Sequence, residues 1–203
     1  MPIDRALREE LIRMADEDQA AIRDVWERAA GKDASFAAQL ARRTDPATAT
    51  IGDLGWDEGA PDTPPPVRRL LSVRRRHLER LREIVDAHGW PGVGLVGRDG
   101  SRAAWLLAQH ADADRSFQER CVRLLREAYE RGDAAGEHVA WLTDRWLMGT
   151  RREQRYGMLL VPARAGPEPL GLVEPKRVDE RRRALGLPPL EEWLRRGAAP
   201  GKR

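Results

Sequence analysis

An amide, an imidazole and a carboxylate follow directly on an apolar run in the middle of the chain. The run ends at Leu107, and Gln109, His110 and Asp112 come immediately after it. Histidine titrates near neutral pH, so His110 could act as a general acid or base while Asp112 orients its ring. His110 also shares a helix face with apolar residues, because side chains three and four positions apart are neighbours. A core histidine, with Asp112 capping the next helix, is therefore the alternative interpretation.

A second polar segment interrupts an apolar helix further along the chain. Asp144 and Arg145 stand between the apolar triplets 140–142 and 146–148. Successive helical residues are about 100° apart, so at least one of the two charges should face the core. A buried charge is tolerated only with a partner. The candidate partners are His110, the neighbouring charge and a ligand.

These segments together predict a single polar site. We expect His110, Asp144 and Arg145 to converge in one concave, partly apolar pocket. There, Asp112 or Asp144 would orient His110 as the catalytic acid or base, and Arg145 would bind an anionic group. The residues expected to shape the substrate pocket are Trp90, Gln109, Gln118, Gln154 and Tyr156.

Apolar residues recur every three or four positions in five long segments, which predicts a mainly helical single-domain bundle. Gly31 and Gly89 supply stops for the first two long helices, and Ser101 and Asp114 are natural caps for later ones. The glycine-rich stretch before Ser101 predicts a tight connection. The predicted long helices cover residues 2–30, 64–87, 101–111, 114–132 and 133–147, with a shorter helix at 35–43.

The chain changes character after Gly149. Two short apolar segments around a Gly-Pro turn favour a small hairpin or an extended arm between Met158 and Val173, and short helices are expected from Asp179 and after Pro188. We therefore expect a helical core domain at 1–157 that contains a long loop region at 31–66. A C-terminal arm with short helices follows at 158–196, and a disordered tail at 197–203.

The composition argues against several classes of partner. The chain has 203 residues and a net charge of +3 from 36 basic and 33 acidic side chains. Its densest group of arginines, at 68–82, alternates with leucine and valine at helical spacing, which is typical of a solvated helix face. Nucleic acid is therefore not an expected partner. No stretch reaches about 18 apolar residues and no secretory signal is present, so we expect a cytoplasmic protein with no membrane contact.

Metal and cofactor sites are not expected either. The single cysteine, Cys121, excludes a disulfide framework and a cysteine-rich zinc site. No H-x-x-x-H or E-x-x-H pair occurs at helical spacing, and the adjacent residues Glu137 and His138 face different ways on a helix. Gly92, Gly94 and Gly97 match the spacing of a dinucleotide loop, but a helix rather than a strand precedes them.

Five ordered blocks of the sequence resemble an uncharacterised family of small helical bacterial proteins, a domain of unknown function. The blocks are GWP, QHAD, LTDR, Q-x-YG and RR-x-x-LGLPPL, and the resemblance extends from about Leu11 to Leu194. It implies recurrent polar positions without assigning them an activity. This chain has Met158 and Leu159 where the family more often has threonine and glutamine. The recurrent positions are Asp18, Gln19, Trp90, Gln109, His110, Asp112, Gln118, Asp144, Arg145, Gln154 and Tyr156.

Two functions from different classes fit these observations. The first is a small-molecule enzyme of the hydrolase, isomerase or cyclase type, with no organic cofactor, in which His110 is the general acid or base. The second is a non-catalytic helical module that binds a protein or nucleic acid through its arginine-rich helix or its tryptophans. The polar residues would then form a structural network. The two differ in whether His110 lies in an open pocket or in a closed core.

Overall fold

The bundle is built from long amphipathic helices followed by a short arm. The computed structural model describes residues 2–31, 34–43, 56–161 and 167–195. It is mainly helical, as the apolar periodicity predicts. The long elements are α1 (Arg5–Ala30), α3 (Pro65–His88), α4 (Val93–Gln109), α5 (Arg115–Glu130) and α6 (Gly136–Gly149). The short ones are α2 (Ala34–Arg43), β1 (Leu160–Val161), β2 (Glu168–Pro169), a 3₁₀ turn (Pro175–Arg177), α7 (Val178–Arg183) and α8 (Leu190–Arg195).

Local capping chemistry sets several helix ends. The Asp4 side chain accepts a hydrogen bond from the Leu7 amide at 3.0 Å, which satisfies one free N–H of the first turn of α1. Asp114 caps α5 in the same way, as its sequence position predicts. Gly31 and Gly89 follow α1 and α3 as the expected stops.

Helix α4 begins earlier than the glycine-rich sequence suggests. The predicted start at Ser101 is wrong, because the helix starts at Val93 and passes through a kink at Gly97, where φ is 74°. A tertiary contact stabilises the early start. The backbone oxygen of Asp133 accepts from the Val93 amide at 2.9 Å, and its side chain accepts from the Gly94 amide. These bonds satisfy amides that would otherwise lack partners.

The core consists of two hydrophobic clusters joined along α1 and α3. The main cluster packs the first half of α1 and the second half of α3 against α4, α5 and α6. The second cluster packs the other halves of α1 and α3 against α2. Asp18 on α1 and Arg74 on α3 lie where the two clusters meet, which we call the seam.

The apolar periodicity predicts that five core residues are largely buried, and this is confirmed for two of them, Leu125 and Leu142. The five are Trp105, Leu106, Leu125, Leu142 and Trp146. Leu125 and Leu142 are fully buried as expected, and Trp105 and Leu106 pack against the core with partial exposure. Trp146 was expected to be largely buried but is only partly so, and the guanidinium of Arg152 lies over its ring. Trp141 is the more deeply buried tryptophan of α6.

The C-terminal arm contains the expected hairpin in minimal form. Strands β1 and β2 are antiparallel and pair Leu160 with Pro169. The two short helices α7 and α8 follow, and Leu185 of this segment contributes to the main cluster. Residues 32, 33 and 44–55 of the predicted loop at 31–66, and the predicted tail at 197–203, lie outside the described residues. No helix of the described ranges combines the length and apolar character needed to cross a bilayer.

Candidate active site

His110 lies at the carboxyl end of α4, where the chain leaves the core. Its backbone amide donates to the Leu106 and Leu107 carbonyls, so the helix closes on the histidine itself. The imidazole Nδ1 lies 2.6 Å from Oδ2 of Asp18, a hydrogen-bonding distance, although the ring N–H is not well aligned with the oxygen. The His110 side chain is 16% exposed. A carboxylate at Nδ1 therefore positions the ring.

Asp18 also binds a second partner across the seam. Its carboxylate is 1% exposed, and its Oδ1 accepts a hydrogen bond from Nε of Arg74 at 3.0 Å. Gln19 donates to the other oxygen at 3.2 Å. Burial acts to raise the pKa of Asp18, but contact with His110 and the Arg74 charge outweigh burial and hold that pKa well below its usual range. Asp18 is therefore ionised at neutral pH.

The environment of His110 favours the neutral imidazole. Burial and the nearby Arg74 charge lower the pKa of His110, while Asp18 acts in the opposite direction. The Arg145 charge lowers it further. A neutral ring that faces Asp18 with its Nδ1 proton carries its lone pair on Nε2. Nε2 has no hydrogen-bond partner among the described residues.

A second ion pair lies beside this dyad. Asp112, 4% exposed at its side chain, accepts two hydrogen bonds from Arg145, of which the Nε contact is 3.1 Å. Arg115 Nη1 donates to the same carboxylate at 2.9 Å. Burial opposes ionisation, but the charges of Arg145 and Arg115 and the Arg145 hydrogen bonds lower the pKa of Asp112 to about 2. Asp112 therefore fixes two arginines near His110.

Gln118 contacts both Arg115 and Asp112 of this second ion pair. Its side chain is fully buried, and its Oε1 accepts from Arg115 Nη1 at 2.8 Å. Its Nε2 donates to the carbonyls of Ala108 and Gln109, both at 3.2 Å. The Gln118 side chain thus donates to two backbone carbonyls at the end of α4 and also accepts a hydrogen bond from Arg115. Its contacts in the described chain fit a positioning role.

Five segments of the chain contribute to this group, which we call the charged cluster. α1 and α3 supply its seam side, the end of α4 and the following turn supply the middle, and α5 and α6 supply the far side. Its members are Asp18, Arg74, His110, Asp112, Arg115 and Arg145.

Asp144 does not belong to the charged cluster. The expected convergence of Asp144 with His110 is wrong, because its fully buried carboxylate accepts hydrogen bonds from the backbone amides of Arg155, Tyr156 and Met158 at 2.7 to 3.2 Å. Burial raises the pKa of Asp144 to about 6, and the amide bonds limit the rise. Asp144 therefore attaches the chain after α6 to the core, and the carboxylate that orients His110 is Asp18.

Two other predicted pocket residues stabilise the arm instead. Gln154 is fully buried; its Nε2 donates to the carbonyls of Leu159 and Leu170, and its Oε1 accepts from the Leu159 amide. Tyr156 is 2% exposed, and its hydroxyl accepts from Arg126 at 2.7 Å. Neither contacts the charged cluster, so both have structural partners where substrate contacts were expected.

The remaining two predicted residues lie in the core between helices. Gln109, with its amide oxygen turned toward α6, accepts from Trp105 Nε1 at 3.1 Å and from the Leu142 amide at 2.8 Å. Trp90 is 5% exposed and is part of the main cluster. Of the nine predicted site residues, four lie in or directly against the charged cluster: His110, Asp112, Gln118 and Arg145.

Asp18, Arg74 and Arg115 had no assigned role in the sequence interpretation, although a pattern in the sequence marks two of them. On α1 the buried positions 7, 11, 14, 18, 21 and 25 form one stripe, and all but Asp18 are apolar. On α3 the buried stripe at 67, 70, 73, 77, 78 and 81 runs past Arg74, which is 10% exposed at its side chain. A charge on an apolar stripe predicts a buried partner.

The geometry defines a class of protein: a helical bundle with a buried charged cluster at the seam of its core. The chain belongs to a family of unknown function (DUF6624), whose model matches residues 40–199. That match includes every member of the charged cluster except Asp18. No curated protein and no solved structure matches the chain. Among the described residues, no three histidine, cysteine or acidic side chains are grouped to hold a metal ion.

Proposed function

We propose that the protein is a small-molecule enzyme that works by general acid and base catalysis at His110. The observation that carries the proposal is the contact of Asp18 with Nδ1 of His110, at 2.6 Å, in a ring whose Nε2 has no partner among the described residues. A carboxylate at one nitrogen fixes the tautomer and leaves the other nitrogen to exchange a proton with substrate.

The electrostatics of the dyad suit a base at neutral pH. Burial and Arg74 lower the pKa of His110, so the neutral ring enters the reaction with its proton on Nδ1 and with Nε2 unprotonated. Once Nε2 has taken a proton from substrate, the ionised Asp18 stabilises the imidazolium at Nδ1. The ring can then return the proton to a leaving group or to another substrate atom. Such transfer serves hydrolase, isomerase and cyclase chemistry.

The arginine-rich helix α3 gives less support to a nucleic-acid-binding module. Four of its arginines pair with carboxylates on the protein surface: Arg75 with Glu58, Arg76 with Glu17, Arg80 with Glu10 and Arg82 with Asp114. The exposed Arg68 donates to the backbone carbonyls of Ala60 and Thr63. A phosphate backbone needs an uncompensated basic face. These pairs neutralise much of the arginine-rich face, which favours the enzyme over a nucleic-acid-binding module.

The test compares the wild-type protein with His110→Asn in a mixture of cellular metabolites followed by mass spectrometry. His88→Asn is the control, because His88 is an exposed histidine at the end of α3. We expect at least one metabolite to be consumed by the wild type and the control and not by His110→Asn. Equal consumption by His110→Asn, or no consumption by the wild type, would return the charged cluster to a structural role.

Two further measurements separate chemistry from folding. His110→Asn leaves Asp18 with Arg74 and Gln19, so its unfolding free energy should change by about 1 kcal/mol or less. The rate of the wild-type reaction should stay level as pH falls to 6.5 and decline only below it, because the pKa of the base is lowered.

A further inference from the structure

The side-chain amide of Gln19 is held in one orientation by Asp18. Its Nε2 donates to Oδ2 of Asp18 at 3.2 Å. Burial acts to raise the pKa of Asp18, but its other contacts hold that pKa well below the usual range, so the group is an ionised carboxylate. A carboxylate only accepts hydrogen bonds, so the nitrogen of the amide must face it. The amide oxygen, Oε1 of Gln19, therefore points away from Asp18.

This amide lies beside the proposed base. Nδ1 of His110 is 2.6 Å from Oδ2 of Asp18, the same atom that accepts the hydrogen bond from Gln19. Two groups that contact one oxygen atom are direct neighbours. The carboxamide of Gln19 and the imidazole of His110 are both small, so one small molecule can contact the two of them together.

Both neighbours present an open polar atom. The Gln19 side chain is half-buried, and its Oε1 has no hydrogen-bond partner among the described residues. Neither this oxygen nor Nε2 of His110 is closed off from solvent, whereas Nδ1 of the same ring is buried. Next to the carboxylate of Asp18, the described chain thus offers an accessible acceptor oxygen and an accessible basic nitrogen.

An open amide oxygen selects a hydrogen-bond donor on the molecule that binds there. The donors of small molecules are O–H and N–H groups. A protonated amine is disfavoured, because burial and the Arg74 charge outweigh Asp18 and lower the pKa of the neighbouring His110 ring, which shows that this environment opposes a positive charge. A neutral hydroxyl or amide N–H is the donor that fits.

We propose that Gln19 is a substrate-binding residue, whose Oε1 accepts a hydrogen bond from a neutral hydroxyl or amide group of the substrate beside His110. The inference rests on the proposed function and adds a substrate class to it: a molecule with such a donor close to the atom that exchanges its proton with Nε2. One end of the Gln19 amide then holds Asp18, and the other end binds substrate.

Titrations with acetamide and with ethylene glycol test this site and distinguish the two donor groups. N,N-dimethylacetamide is the matched probe that keeps the carbonyl of acetamide but has no N–H group. Binding is followed by the NMR signals of the Gln19 side-chain amide and of the His110 ring. Gln19→Lys keeps a donor for Asp18 but has no acceptor. Gln39→Lys, at an exposed glutamine of α2, is the control.

We expect acetamide or ethylene glycol to bind the wild type and the control and to shift both NMR signals. Loss of one hydrogen bond should weaken binding about tenfold, both for N,N-dimethylacetamide on the wild type and for the donor probe on Gln19→Lys. Should Gln19→Lys fail to fold, the comparison of the probes on the wild type carries the same test. Equal binding by Gln19→Lys, equal binding of N,N-dimethylacetamide, or no binding of either donor overturns the inference.

The outcomes separate this inference from the proposed function. If Gln19-dependent binding of a donor probe is found but His110→Asn changes no reaction, the proposed function fails and the binding site remains. If a reaction depends on His110 while Gln19→Lys leaves the KM and kcat for its substrate unchanged, the role of Gln19 fails and the proposed function remains.

Discussion

Replacing Gln154 by leucine is the sharpest test of the division between the charged cluster and the supporting structure. Gln154 was a predicted substrate-binding residue, yet its amide serves only backbone groups of the hairpin among the described residues. It donates to the Leu159 carbonyl at 2.8 Å and to the Leu170 carbonyl at 2.9 Å, and it accepts from the Leu159 amide at 2.7 Å. Leucine has a similar volume, so the change removes three hydrogen bonds without leaving a large cavity.

The expected cost follows from those three bonds. A neutral hydrogen bond contributes about 1 kcal/mol to stability, and a buried group left unpaired costs more. Gln154→Leu should therefore lower the free energy of unfolding by about 3 kcal/mol. The backbone bonds of Gln154 to Gly171 and Val173 do not involve its side chain and should persist.

Denaturant unfolding at pH 7 measures the change in the free energy of unfolding. Amide hydrogen exchange shows which backbone amides lose protection. The amide of Leu159 should lose protection, while that of Val173 should keep it. Gln39→Leu, at an exposed glutamine of α2, makes the same chemical change and should cost less than about 0.5 kcal/mol.

Two results would refute the reasoning. A loss below about 1 kcal/mol would mean that the hairpin bonds contribute little in water. Unchanged exchange at Leu159, together with impaired substrate binding, would show that Gln154 serves the site after all and that its assignment to the arm is mistaken.

Three other substitutions or conditions test the electrostatics and the packing. The pKa of Asp112 is lowered from 3.8 to about 2, so its carboxylate should add about 2 kcal/mol of stability above pH 4 that is lost as pH falls through 2. The difference in unfolding free energy between the wild type and Asp112→Asn should therefore narrow from pH 7 to pH 2. A difference that stays constant over this range would contradict the prediction. Trp141→Ala should cost about 3 to 5 kcal/mol and Trp146→Ala clearly less, since only Trp141 is buried; equal losses in denaturant would count against this packing. Burial raises the pKa of Cys121 to about 12, so native protein should resist iodoacetamide at pH 8 and react once unfolded, whereas rapid native labelling would exclude the buried site.

Much of the fold could be predicted because the helices carry their own signals. The apolar period and the caps at Asp4 and Asp114 are local, and both are visible in a single sequence. The start of α4 is not local, because it depends on Asp133, which is nearly forty residues away in the chain. A tertiary contact of this kind overrides the turn preference of glycines.

The candidate site was only partly predictable, for a related reason. The sequence shows that Asp144 and Gln154 are polar residues beside apolar ones, which means that each needs a partner. It does not show whether the partner is a ligand, another side chain or the backbone. Asp144 and Gln154 bind backbone amides and carbonyls, whereas His110 and Asp112 bind side chains of distant helices.

The energetics of the seam bear on why the cluster is there. Removing two charges from water costs several kcal/mol for each ion, and apolar pairs in place of buried ion pairs are often as stable or more so. Leucine at position 18 would continue the apolar stripe of α1. An apolar residue at position 74 would connect the two hydrophobic clusters of the core along α3. The cluster leaves Nε2 of His110 without a hydrogen-bond partner in the described chain, on a ring whose Nδ1 lies against the buried carboxylate of Asp18. A ring nitrogen left open beside a buried ion pair, at a position where apolar side chains would serve stability as well, is the physical reason for proposing a catalytic role for His110.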